Sequence, residues 1–162
     1  MLKKEILIQA WDFCYDLEGW YPPLKNALED VDGSQAIWRP EGETSNTIRE
    51  IVNHLFYYKR RFLFRLEGKT WPYKITSNEQ TFWPGEHTMQ LTWDKLVEAL
   101  ASVHGQIREK VIEIADEKLD SKLPNDPIDQ QIMTLATHDA YHTGQIILIR
   151  KLYGSWPGVR ET

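Results

Sequence analysis

A chain of 162 residues, 41% hydrophobic and 27% charged, is long enough to bury one core and too apolar to be disordered throughout. A net charge of −5 and an isoelectric point near 5.5 argue against nucleic acid as a partner, because neutralising phosphates needs a basic face. The single cysteine, Cys14, excludes an intramolecular disulfide and any cysteine-based zinc cluster.

The first helix is predicted over Lys3 to Glu18, with Leu2, Ile6, Phe13 and Leu17 near one face and Cys14 as a buried, inert thiol in the same apolar stripe. The opening Met-Leu-Lys-Lys run is broken by Gln9 and Asp12, too soon for a signal segment, and no apolar run reaches bilayer-spanning length. A cytoplasmic protein with no membrane contact, forming one domain over residues 1–162, is the resulting expectation. Gly19 and the Pro22-Pro23 pair break the first helix, which Leu24 to Asp30 can continue after the bend. Asp32 caps a short segment to Trp38, and Arg39-Pro40-Glu41-Gly42 reads as a turn.

Thr47 and Glu50 make a capping box for the second helix, followed by Ile48, Ile51, Leu55, Phe62 and Leu66 at helical spacing and by a terminating Gly68. Lys59, Arg60 and Arg61 read as its solvated face. Lys69 to Leu91 holds Pro72, Pro84 and Gly85 with no sustained period, which is long for a connection. A helix of about 20 residues is about 30 Å long and is retraced by about ten extended residues, so a crossover of this length can join two parallel helices. The third helix starts at Thr92 and runs to about Ala115 on the stripe Leu96, Leu100, Val103, Ile107, Val111 and Ile114. After a polar connection at Asp120 to Pro127, the fourth runs from Pro127 to Tyr153 and stops at Gly154, with Ile128, Ile132, Leu135, Ile146 and Ile149 on its apolar face. Without strand alternation, repeat or low-complexity tract, the class is all-α, a four-helix bundle.

Three histidines occupy positions where helical periodicity predicts core. His138 and His142 interrupt the stripe Leu135…Ile146, and His54 lies between Ile51 and Leu55. Residues four apart share a helix face, with Cβ atoms about 5–6 Å apart, so the pair can aim at one ion. The ordinary alternative is a set of hydrogen-bonded core histidines. Burying three polar rings without partners is costly, and bundle cores are recurrent metal sites. Measured along the helices, His54 and His142 lie at similar depths if their helices are antiparallel. The segment His138-Asp139-Ala140-Tyr141-His142 departs from the zinc-protease H-E-x-x-H pattern, since Asp139 replaces the glutamate and no downstream third histidine follows.

Taken together, Thr47-Ile48-Arg49-Glu50-Ile51-Val52-Asn53-His54-Leu55 and His138-Asp139-Ala140-Tyr141-His142-Thr143-Gly144-Gln145-Ile146 resemble the DinB-like (DinB/YfiT-type) family, and the resemblance extends over nearly the whole chain. It implies an up-down-down-up bundle with the long crossover between helices two and three, a divalent ion on His54, His138 and His142, and frequent homodimers. It does not imply one chemistry: such proteins include transferases using a low-molecular-weight thiol, related isomerases and metal-dependent hydrolases. Three imidazoles suit zinc, nickel or iron. The leading expectation is a metalloenzyme that activates a thiol or water against a small-molecule substrate. A hydrolase is the runner-up, and a bundle with a structural or sensory metal is the alternative of another class. Asp139 is either a carboxylate that orients a ligand or acts as a general base, or a surface charge. Glu50 has its capping role, and Gln145 either reaches the site or faces a neighbouring helix. His104 is the candidate for a fourth position, against a plain flank histidine; His87 is expected in solvent. Trp38, Trp71, Trp83 and Trp156 fall near connections, where they wall a pocket, bury a dimer contact or anchor loops.

Overall fold

Helix formation follows the capping signals closely. In the computed structural model, which describes residues 2–42 and 44–158, Glu50 N–H donates to Thr47 Oγ1 (3.1 Å) and Thr47 N–H to Glu50 Oε2 (2.8 Å), satisfying two orphan donors at the start of a helix. Gly68 and Gly154 adopt φ of +67° and +88° at the ends of the helices that carry His54 and the His138–His142 pair, a conformation glycine takes without a Cβ penalty. The described residues form six α-helices: α1 (Lys3–Tyr15), α2 (Leu24–Leu28), α3 (Gly33–Ala36), α4 (Ile48–Leu66), α5 (Trp93–Glu113) and α6 (Ile128–Tyr153). Among them there is no β-strand, and no helix is long and apolar enough to cross a membrane.

The four long helices run up-down-down-up. Lys3 pairs with Asp129, and Cys14 lies against Asp139, so α1 and α6 are parallel. Lys4 reaches the carbonyl of Ile112 and Trp11 that of His104, so α1 and α5 are antiparallel. Arg65 meets Gln131 while His54 meets His138, which sets α4 antiparallel to α6. Arg49 reaches Leu91 and Lys59 reaches His104, which sets α4 parallel to α5. The segment between α4 and α5 is therefore the crossover.

It does not stand away from the bundle. Asn53 Nδ2 donates to Phe82 O (3.0 Å) and Arg60 Nη1 to His87 O (3.1 Å). Trp71 packs edge-on against Tyr57 and Phe64. His87, expected in solvent, is buried edge-on against Tyr57 because the crossover folds down onto α4.

The core uses the predicted stripes of α4, α5 and α6, but not that of α1. Leu7, Trp11, Cys14 and Tyr15 are the buried residues of α1, whereas Leu2, Ile6 and Leu17 are exposed. This helix carries apolar residues on both sides, and the face chosen is the one that α5 and α6 cover. It also ends at Tyr15 rather than Glu18, with Asp16 and Leu17 N–H both donating to Asp12 O. The Leu24 segment is a separate short helix, and Asp32 caps α3 through Gln35 N–H (2.8 Å).

Candidate metal centre

Capping sets where α4 starts and therefore where its second turn points. His54 is buried between Ile51 and Leu55, and the antiparallel α6 brings His138 and His142 to the same level. The three Nε2 atoms converge: His54 to His138 is 2.9 Å, and His142 to His138 is 3.1 Å. Nitrogens each about 2.0–2.1 Å from one ion stand about 2.9 Å apart at a right angle and about 3.4 Å apart at a tetrahedral angle. The spacing thus suits three ligands on one face of an ion.

The outer nitrogens decide which atoms carry the protons. Thr81 Oγ1 donates to Asn78 O (2.6 Å) and is left to accept from His54 Nδ1–H (2.5 Å). Gln145 Oε1 accepts from His142 Nδ1–H (2.6 Å). Both rings therefore turn the Nε2 lone pair inward. Burial lowers the affinity of all three imidazoles for a proton, pulling His54 to about 3 and His138 to about 4, with repulsion between the rings adding to it. Near neutral pH they are unprotonated, the form in which imidazole binds a metal.

Phe82 stacks on His54 (centroids 4.0 Å, 10° between planes), and Tyr58 stands edge-on to His54 and His138. The centre opens into a cavity of about 480 Å³, bordered by Asn46, Asn78, Thr134 and Tyr141 among others. None of the four loop tryptophans borders it. Trp71 anchors the crossover, Trp38 packs on Tyr153, Trp156 covers Arg150, and Trp83 is exposed. Glu50 stays with its cap and with Arg39. Thr81, Phe82 and Tyr58 escaped the sequence reading. Tyr58, four residues after His54, had a detectable signal; Thr81, in an aperiodic segment, had none.

Asp139 lies elsewhere, and so does His104. Asp139 is fully buried on the face of α6 turned toward α1, where its Oδ2 is 2.5 Å from Lys59 Nζ and 3.6 Å from Cys14 Sγ. It is thus not a surface charge. Lys59, expected in solvent, has no exposed surface: it donates to His104 Nδ1 (2.7 Å) and sits over the rings of Trp11 and Tyr15, at 4.6 and 5.0 Å from their centroids. His104 is sandwiched between the same two rings. Each long helix contributes to this cluster. Cys14, His104 and Asp139 have donor atoms close enough to suit an ion, but the Lys59 ammonium already stands among them as the cation. Burial holds the Cys14 thiol well above its ordinary range, as expected for an inert thiol.

A family model described as the DinB superfamily matches residues 23–146. That span contains all three converging histidines and Lys59, His104 and Asp139, but not α1. Searches of the curated proteins and of solved structures each return no match.

Proposed function

The chain belongs to the DinB superfamily, and from that membership and the geometry of the centre we propose that it is a metalloenzyme. His54, His138 and His142 hold one divalent ion (zinc, nickel or iron), and the reaction joins a low-molecular-weight thiol to a small electrophile. The observation that carries the metal is the convergence of three Nε2 atoms, two of them with their protons fixed on the far side of the ring. A divalent ion in such a site supplies a Lewis acid that brings the pKa of a coordinated thiol or water toward neutrality.

The protein's own side chains do the rest. Thr81 and Gln145 hold the imidazoles in one tautomer and one orientation. Phe82 and Tyr58 cover one side of the centre and keep bulk water from it. The cavity leaves a direction open, unlike a structural site closed by four protein ligands, which supports catalysis over a staple. None of the described residues bordering the cavity is a carboxylate. A hydrolytic site ordinarily uses a general base near its water, whereas a thiol made acidic by the ion needs none, so the transferase is preferred to the hydrolase. The exposed Met133, Leu148 and Leu152 on α6 support pairing with a second copy, which light scattering on the purified protein tests.

Elemental analysis of the purified protein should find about one divalent ion per chain. Conjugation of a simple thiol to an aromatic chloride or an epoxide should then require that ion. Metal-dependent ester or amide hydrolysis without thiol would move the reading to a hydrolase. A metal that raised only the melting temperature would move it to a structural role.

A further inference from the structure

The cavity at the histidines does not end there. Tyr58, Thr134 and Leu135 also border a second cavity of about 340 Å³, which continues between α4 and α6 toward their other end. On α4 the groove is lined by Phe62 and by His54, Tyr58, Arg61 and Arg65, the last four spaced four, three and four apart along one continuous helical face. Seven residues separate His54 from Arg61, so the first guanidinium is rooted about 10 Å along the axis from the histidines.

Both arginines are half-buried, and neither forms an ion pair among the described residues. Arg65 Nη1 donates to Gln131 Oε1 (2.8 Å), and Gln131 is itself held by the carbonyls of Leu123 and Asp126. Arg61 makes no hydrogen bond among the described residues. Elsewhere in the chain, Arg39 pairs with Glu50, Arg108 with Asp12, and Arg60 lies among Phe56, Phe64, Trp71 and Tyr73. Among the described residues Asp126 is the one carboxylate bordering the second cavity, and it is exposed. Two cations and one acid leave the groove with unspent positive charge, and burial and the neighbouring Arg61 both weaken the hold of Arg65 on its proton. Planar guanidinium groups bind carboxylates with two parallel hydrogen bonds, a strong and directional contact.

We infer that the molecule reaching the three-histidine centre carries a carboxylate, and that Arg61 and Arg65 bind it while the reacting atom sits at the histidines. Building on the function proposed above, the structure assigns this feature to the thiol co-substrate: an elongated thiol with a carboxylate on the order of 10 Å or less from its sulfur. The arginines are binding residues here and take no part in bond making.

The test uses cobalt(II)-loaded protein, in which sulfur coordination is read from the thiolate-to-cobalt absorption. Glutathione, with two carboxylates, is titrated beside its diethyl ester. Glutathione should bind roughly tenfold more tightly or better, one charge-assisted contact's worth. In R61Q, which keeps the Arg65–Gln131 bond, and in R61Q/R65Q, that preference should shrink toward parity while the cobalt spectrum and the affinity for the diester stay the same. Equal binding of the two thiols by the unmodified protein, or a preference untouched in the variants, overturns the inference. Failure to retain cobalt, or a sulfur band with neither thiol, counts instead against the metal and thiol reading. The carboxylate seat is then tested by calorimetry with glutarate. Binding lost in R61Q/R65Q keeps the seat and moves the carboxylate to the acceptor molecule, and no glutarate binding by the unmodified protein overturns it.

Discussion

The bundle buries two polar clusters, one on α4 and α6 alone and one drawing on all four long helices, with opposite outcomes. His54, His138 and His142 meet on one side of the α4–α6 seam; Lys59, Asp139, His104 and Cys14 meet on the other. At the first, lone pairs converge, and no described side-chain cation borders the site. At the second, an ammonium donates to a carboxylate and an imidazole and rests on two aromatic faces. Buried polar groups need partners, and the chain provides for that need once with an internal cation and once with a site for an external one. All three histidines of the first cluster border a cavity, as an external ion requires, whereas Lys59, Asp139 and Cys14 border none among the described residues and the second cluster meets a cavity only at the edge of His104 and Tyr15.

The largest effect should come from removing the internal cation. K59M leaves Asp139 buried and uncompensated, a loss of about 3–5 kcal/mol in urea unfolding. The double variant K59M/D139L, which removes both charges, should recover most of it. If the double variant is as unstable as the single one, Lys59 is not acting as the cation of that cluster. H138A should behave differently: the metal-free protein stays folded, but the stabilisation that added metal gives the unmodified chain, about 2.7 kcal/mol at a hundredfold excess over Kd, should vanish. A metal-induced rise in melting temperature that survives in H138A would break the comparison.

Smaller effects sharpen it. Q145A and T81V remove the partners of the outer ring nitrogens and should weaken metal binding by about 10–100-fold, read by competition with a chelator, with the fold intact. Cys14 should resist a disulfide reagent at pH 8 in the folded protein and react fully in denaturant, because burial raises its pKa. Last, the metal-free protein should lose stability as pH falls. His54 and His138 have folded pKa values pulled down to about 3 and 4, while unfolded histidine titrates near 6.5. Between those values the unfolded chain binds more protons, so stability increases with pH from about 3 to about 6.5 and levels off above. Bound metal should add stability near neutral pH that is lost as pH falls below about 6.5, since protons then compete with the ion for the ligand nitrogens.

The two clusters were not equally legible. The histidines stood out because their residue type is rare and their spacing matched the core stripe. Lys59 stands four after Leu55 and three before Phe62, and Asp139 four after Leu135, so both also lie on core periodicity. Charge argued for solvent at Lys59 and left Asp139 open between the metal site and the surface, and each looks costly to bury until the other is in view. Periodicity was the better guide. On α1 it is ambiguous, because apolar residues line both sides: spacing points to Ile6 and Leu17, whereas the structure exposes these and buries Leu7 and Trp11.

From the chain alone came the four long helices, the Thr47–Glu50 capping box, the glycine stops at Gly68 and Gly154, the crossover, and the three inward histidines, because these rest on local spacing and on the obligatory hydrogen bonds of helix ends. Tertiary structure alone decided that Thr81 and Phe82 cover His54, that Lys59 finds Asp139, and that Arg61 and Arg65 lie along the groove leading from the histidines. These pairings join residues far apart in sequence, and which groups meet across a bundle depends on how helices with several usable faces settle against one another.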